Sequence, residues 1–283
     1  GYKFAEEFPA KFHGVSGFDV NTGSCVGGKK TYSSVFGETL TEMAQKNDKI
    51  CAVTAAMPDG TGLLEFANRF PERFFDVGIA EEHAVTFSAG LAKGGMMPYF
   101  AVYSTFLQRG YDQIIHDAAL TNLHVCFCID RAGLVGADGE THQGMYDISF
   151  LRAMPNIVIA APRSCRDLLR MIDLSLECGG PMAIRYPKDA LETQDSPDTS
   201  ADFAIGEWET LIEGNDVTLF AEGPMVQLAV QCAMSLNGRG ISTGVVDARF
   251  IKPMDEAMLL AQSRRARLVV TLEENSVLGG LGE

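Results

Sequence analysis

Apolar residues along this chain fall into two alternating kinds of run. The segments 49–55, 97–102, 125–129, 156–161 and 181–186 are short and continuous, with the β-branched and aromatic content of buried strands. A further run at 74–77 is strand-like. Between them, 63–69, 81–93, 106–120 and 164–177 repeat apolar positions at the three-and-four spacing of a helix. Segment 81–93 has the clearest ends, with Glu81 and Glu82 in its first turn and Gly94-Gly95 just past its last. Continuous apolar strands joined by helices predict a parallel sheet covered on both faces, which is the α/β class.

A second series follows a polar stretch, 192–202, rich in Asp, Ser, Thr and Pro. Its strands are predicted at 216–221, 241–247 and 267–272, and its helices at 227–236 and 255–263. The chain therefore divides into a linker (1–30), one domain (31–190), a second linker (191–204) and a second domain (205–283), both doubly wound with mainly parallel sheets. Residues 1–30 are rich in Gly, Phe and Lys without sustained periodicity, so they are expected to be extended. After the last strand, Gly279-Gly280-Leu281-Gly282 has the composition of a turn that opens a helix, yet Glu283 follows directly. The second domain is expected to be incomplete and the chain to be a fragment.

Charge narrows the partners. Across 283 residues, 37 acidic side chains against 23 basic ones leave a net charge of −14. Such a field repels nucleic acid and anionic membrane, and no local basic patch offsets it. No apolar run approaches the roughly 20 residues that span a bilayer. The seven cysteines lack the short spacings of a zinc site or a disulfide framework, which points to reduced thiols in a cytoplasmic protein. Cys126 and Cys128 alternate within an apolar run and are expected on one side of a buried strand.

Four segments carry candidate chemistry. Ile79-Ala80-Glu81-Glu82-His83 opens a helix just after a strand, where open α/β sheets bind ligands, although acidic first turns also serve the helix dipole. The segment from Asp130 to Gly144 follows the 125–129 strand. Its glycines at 133, 136, 139 and 144 allow close backbone approach, while Asp138, Thr141, His142 and Gln143 add polar groups. In Tyr103-Ser104-Thr105-Phe106-Leu107-Gln108-Arg109, Thr105 is a candidate helix cap, Phe106 a candidate core residue and Arg109 a candidate anion partner. Arg185-Tyr186-Pro187-Lys188 places cations at the exit of the last strand, where solvated surface is the default and an anionic substrate the alternative.

In this order, the four segments resemble the pyrimidine-binding domain of the thiamine-diphosphate enzymes of the transketolase group, and most closely the 1-deoxy-D-xylulose-5-phosphate synthases. Phe75-Asp76-Val77-Gly78-Ile79-Ala80-Glu81-Glu82-His83, Tyr103-Ser104-Thr105-Phe106-Leu107-Gln108-Arg109, the Asp130 to Gly144 loop, Arg185-Tyr186-Pro187 and Lys11-Phe12-His13-Gly14 carry the resemblance. It covers essentially the whole chain. It implies condensation of pyruvate with D-glyceraldehyde 3-phosphate, with loss of carbon dioxide, and it implies thiamine diphosphate and magnesium as cofactors and a homodimer. Glu81 is then the carboxyl that bonds the aminopyrimidine N1′, with Phe106 stacked on that ring and Ile79 beside it. Tyr103, Arg109, Asp138, His142 and Lys188 line the substrate pocket, Arg109 facing the acceptor phosphate, Asp138 and His142 near the reacting carbons. Lys188 departs from the arginine usual in the family, replacing a bidentate fork by a point charge. No metal ligand falls on this chain, because the family's Gly-Asp-Gly motif for magnesium and diphosphate is absent. A transketolase acting on sugar phosphates, a 2-oxo acid dehydrogenase beta subunit and a non-catalytic module are the competing expectations.

Overall fold

The expected strands and helices form close to their predicted bounds in the computed structural model, which describes residues 1–9, 12, 17–24, 30–189 and 202–283. The polar stretch 192–201 and most of Lys11-Phe12-His13-Gly14 lie outside the described residues. A short helix α1 (Lys3–Glu7) stands where extended chain was expected. The first domain runs α2 (Tyr32–Lys46), β1 (Ile50–Thr54), α3 (Leu64–Arg69), β2 (Phe74–Asp76), α4 (Glu81–Lys93), β3 (Met97–Tyr103), α5 (Ser104–Leu107), α6 (Tyr111–Gln113), β4 (Cys126–Asp130), α7 (Asp147–Arg152), β5 (Val158–Ala160), α8 (Cys165–Ser175) and β6 (Met182–Arg185). The second runs β7 (Glu209–Ile212), β8 (Val217–Ala221), α9 (Met225–Asn237), β9 (Thr243–Asp247), β10 (Phe250–Lys252), α10 (Glu256–Arg265) and β11 (Leu268–Leu272).

Two mainly parallel sheets result, ordered β10-β5-β6-β4-β3-β1-β2 and β11-β8-β9-β7. Strands β1 and β4 are buried along their whole length, as sheet strands covered on both faces must be. Cys126 and Cys128 do share one side of β4, their sulfurs 3.9 Å apart. Helices α2, α4 and α8 pack on β1, β3 and β6, and α9 packs on β8 and β9. Side-chain caps fix three helix starts: Thr31 and Ser34 form a reciprocal capping box on α2, Ser164 caps α8 and Asp255 caps α10.

Two features depart from the periodicity. The predicted 106–120 helix is broken into α5, a 3₁₀ turn (Gln108–Gly110), α6 and a π-helical stretch (Ile114–Ala119). Gly110 sits so close to α4 that a Cβ there would lie 2.9 Å from Val85 Cγ2, and the chain bends around that contact. The other departure is β10, which belongs to the second series yet pairs antiparallel with β5 and completes the first sheet. Trp208 pins this strand, its indole N–H donating to the Phe250 carbonyl at 2.7 Å. The core is correspondingly shared, with Phe203, Trp208, Phe220 and Phe250 continuous with the first domain's buried residues.

Candidate functional site

Five of the six parallel strands of the first sheet end in polar residues, Thr54, Asp76, Tyr103, Asp130 and Arg185, and every candidate segment leaves from this carboxyl edge. Asp76 joins two of the exits. Its Oδ1 accepts from Ala56 N (2.8 Å) and Gly78 N (3.0 Å). Gly78 at φ +73° then turns the chain into α4, leaving Ile79 78 % exposed and Glu81 only 3 % exposed. Adjacent carboxylates thus meet opposite surroundings, since Glu82 faces solvent.

Arg109 Nη1 approaches both oxygens of Glu81, at 3.2 and 3.1 Å. The same guanidinium lies 6.0 Å from the centroid of Phe106. Phe106 is half-buried rather than part of the core. Its ring stacks at 12° on Tyr103, and the His142 ring meets it edge-on at 5.3 Å. Tyr103 is nearly buried, and burial pushes its phenol up to about 12. Five of the predicted residues, Glu81, Tyr103, Phe106, Arg109 and His142, therefore form one contact chain. Thr105 is not a cap: α5 begins one residue earlier without a side-chain cap, and the Thr105 hydroxyl donates to the Thr141 carbonyl at 2.9 Å, tying α5 to the glycine-rich loop.

That loop is closed at its neck by reciprocal backbone bonds between Gly133 and Gly144, both 2.8 Å. Two 3₁₀ turns, Gly136–Asp138 and Glu140–His142, present the polar residues. Gly133 and Gly139 adopt φ of +83° and +86°, where an L side chain is strained. Gln143 is used up internally, accepting from Val135 N (2.9 Å) and donating to the Gly139 carbonyl (2.7 Å). His142 Nδ1 faces Thr141 Oγ1 at 3.0 Å.

Asp138 pairs with Lys188, which is 40 % exposed, and its Oδ2 lies 3.9 Å from Arg131 Nε. Arg131 escaped the sequence reading. It sits at φ +55°, its guanidinium 3.9 Å from the Tyr103 centroid, and Nη1 donates to the Gly60 carbonyl at 2.6 Å. Its buried Nε has no hydrogen-bond partner. Asp130 holds it: this fully buried carboxylate accepts from Ser33 Oγ (2.6 Å) and Arg131 N (2.7 Å), and burial raises its pKa. A charged pair at the end of a wholly apolar strand was the available signal.

Arg185 requires a correction. It is not a solvated or anion-facing cation but is buried between Asp147 (Nε to Oδ2, 2.6 Å) and Glu222 of the second domain (Nη1 to Oε2, 2.7 Å). Although burial opposes its charge, these carboxylates hold it protonated above its usual range. Of the cations in that segment, Lys188 alone reaches the site.

The edge thus offers a buried carboxylate, a half-exposed aromatic face and an exposed isoleucine, a set that suits a flat nitrogen heterocycle, beside the cations Arg109, Arg131 and Lys188. Among the described residues, no three His, Cys, Asp or Glu side chains group to hold a metal ion, and no helix is long and apolar enough to cross a membrane.

Comparison with known proteins agrees with this architecture. Residues 28–194 match the transketolase pyrimidine-binding domain and residues 206–283 the transketolase C-terminal domain, so the chain belongs to the transketolase family. Within it, the chain is 54 % identical over 283 residues to a 1-deoxy-D-xylulose-5-phosphate synthase of Caldanaerobacter subterraneus, and 50 % identical over 284 aligned residues to that of Aquifex aeolicus. All of the chain is aligned in both, but it spans only 45 % of the length of each relative. A solved structure described as a split gene transketolase, inactive beta4 tetramer, superposes with a TM-score of 0.80 at 33 % identity, covering 90 % of this chain and 83 % of that one. Transketolase from Campylobacter jejuni shares the fold at 21 % identity, with a TM-score of 0.75 over 89 % of this chain and 44 % of that one.

Proposed function

We propose that this chain is part of a 1-deoxy-D-xylulose-5-phosphate synthase, a transferase that joins the two-carbon remnant of pyruvate to D-glyceraldehyde 3-phosphate and releases carbon dioxide. Its product would supply isoprenoid, thiamine and pyridoxal synthesis. The observation that carries this reading is Glu81, a carboxylate buried at the start of α4 and joined through Arg109 to the half-buried ring of Phe106. The identity of 54 % along the whole chain supports this reading over that of a transketolase or a dehydrogenase subunit.

Thiamine diphosphate, when bound, supplies the carbanion chemistry. The chain's own residues position and protonate. Glu81 would hold a proton shared with the pyrimidine N1′, a task suited to a carboxyl shielded from water. Phe106 would offer its ring for stacking, and Ile79 an apolar edge. His142, touching Phe106, and Asp138 would handle protons at the reacting carbons. Arg109 and Lys188 would hold the acceptor phosphate, with Arg131 adding positive charge beside them.

Magnesium and the diphosphate belong, in this proposal, to a domain outside this chain. The chain alone would then be inactive, as the similar split gene transketolase tetramer is described to be. The complete protein would be a cytoplasmic homodimer. The test is a coupled assay of the full-length polypeptide. Release of carbon dioxide from pyruvate that depends on D-glyceraldehyde 3-phosphate supports the proposal, and turnover restricted to ketose phosphates overturns it.

A further inference from the structure

The second domain lays a carboxylate, that of Glu274, against the neck of the glycine-rich loop. Residue Glu274 follows β11, and both of its backbone groups are fixed by the buried pair described above. Its N–H donates to Glu222 Oε1 at 3.1 Å, and its carbonyl accepts from Arg185 Nη2 at 3.2 Å. Glu222 and Arg185 are both buried, and Arg185 also grips Asp147, which accepts from Ser104 Oγ at 3.1 Å at the start of α5. Thus the backbone of Glu274 stands on a platform shared with the helix that carries Phe106.

From that platform its side chain lies along the neck of the loop. A Cβ on Gly133 would come within 2.3 Å of Glu274 Oε2, so the carboxylate occupies the space a larger residue would need. The Leu134 backbone N–H faces the same carboxylate. Next along the chain, Ser276 N donates to the Met145 carbonyl at 2.7 Å, so the loop is held at entry and exit by one segment of the second domain. Gly133 and Gly144 close the neck, and only beyond it do Asp138 and His142 emerge.

We propose that Glu274 is a positioning residue, which fixes the neck of the 133–144 loop from the second domain and thereby sets where Asp138 and His142 stand. It acts through the Gly133 and Leu134 backbone. The proposal rests on the functional reading above for what the loop does, but not for how the loop is held.

The test therefore has two arms in the full-length protein. Amide hydrogen exchange without substrate reads the loop directly. Glu274→Ala should speed exchange at 134–144 at least about tenfold, leaving β1 and β4 amides unchanged, and Glu274→Gln, which keeps an acceptor oxygen, should restore most of the protection. Steady-state kinetics reads the consequence. Glu274→Ala should lower kcat about tenfold or more with thiamine diphosphate affinity held within twofold, because Glu81 and Phe106 stay in place. Unchanged exchange in the loop overturns the proposal, as does faster exchange spread evenly through both sheets. If the loop loosens as expected while the wild-type protein lacks synthase turnover, the positioning role stands and the assigned reaction falls.

Discussion

Arg109 Nη1 lies 3.2 and 3.1 Å from the two carboxylate oxygens of Glu81, although the arginine is 55 % exposed and the glutamate 3 %. A half-solvated cation therefore covers the one carboxylate of the acidic pair that is withdrawn from water. The pairing gives the buried Glu81 carboxyl the partner that a polar group withdrawn from water needs. It also makes the two neighbouring glutamates sharply unequal.

In the complete enzyme, Glu81→Gln should preserve the fold and reduce turnover at least about a hundredfold, the scale of a positioned proton-transfer group. Glu82→Gln should be nearly silent, because the next residue on a helix points roughly 100° away and this one faces solvent. Steady-state turnover at saturating cofactor decides the matter. An essential Glu82 beside a dispensable Glu81 would reverse the assignment.

Arg109 has two possible duties, and one variant separates them. Its exposure leaves it open to an anion, so Arg109→Ala should raise the KM for D-glyceraldehyde 3-phosphate about tenfold or more, as expected for a lost hydrogen bond to a charged group worth about 1.5–3 kcal/mol. The KM for pyruvate should stay nearly constant. A loss confined to thiamine diphosphate affinity would mean that the arginine serves Glu81 alone.

The order of elements was legible because most strands are continuous apolar runs and the longer helices repeat apolar positions at helical spacing, as at 81–93. The place of the candidate segments at the carboxyl edge was legible for the same reason, since strand ends locate it. Three things were not. Strand β10 is three residues long and earns its place by pairing with β5, far away in sequence. Arg185 looked like surface because a lone cation after a strand usually is; its partners, Asp147 and Glu222, lie 38 and 37 residues away. Thr105 had the right type for a cap, but the helix started two residues early and its hydroxyl found Thr141 instead.

Buried Arg185 also predicts a large stability effect. Arg185→Met removes the cation from between two fully buried carboxylates, and breaking such a pair from one side costs about 3–5 kcal/mol. Denaturant unfolding of the variant should show a lower midpoint. A midpoint within error of the wild type would show that the ion pair is dispensable.

Cofactor binding by the chain alone follows from the proposed division of the site. With the proposed pyrimidine contacts on this chain and no metal-binding cluster among the described residues, thiamine diphosphate should bind weakly, and magnesium should not change the affinity. Isothermal titration with and without the metal measures this. Tight, magnesium-dependent binding to the 283-residue chain would contradict it.

The last prediction concerns acid–base balance between the domains. Arg163 and Arg249 face three carboxylates, Asp167, Glu209 and Asp247. Asp247 is completely buried, its Oδ2 3.2 Å from Arg163 Nε and 2.9 Å from Arg249 Nη2, while Oδ1 has no hydrogen-bond partner. Burial is the largest influence and carries its pKa from 3.8 up to about 7, despite the opposing pull of both arginines. In the unfolded chain the carboxyl returns to its ordinary value near 3.9. Between these values the folded state binds a proton that the unfolded state does not, so this group's contribution to stability declines as pH rises and levels off above about 7. Going from about pH 8 to about pH 5.5 should therefore stabilise the wild type relative to Asp247→Asn by about 2 kcal/mol. Taking the difference between the two proteins at each pH cancels the titration of all other groups to first order. Unfolding free energies from denaturant titration at both pH values give the comparison. A difference that is flat with pH, or that grows toward alkaline conditions, would mean that the arginines keep Asp247 ionised throughout.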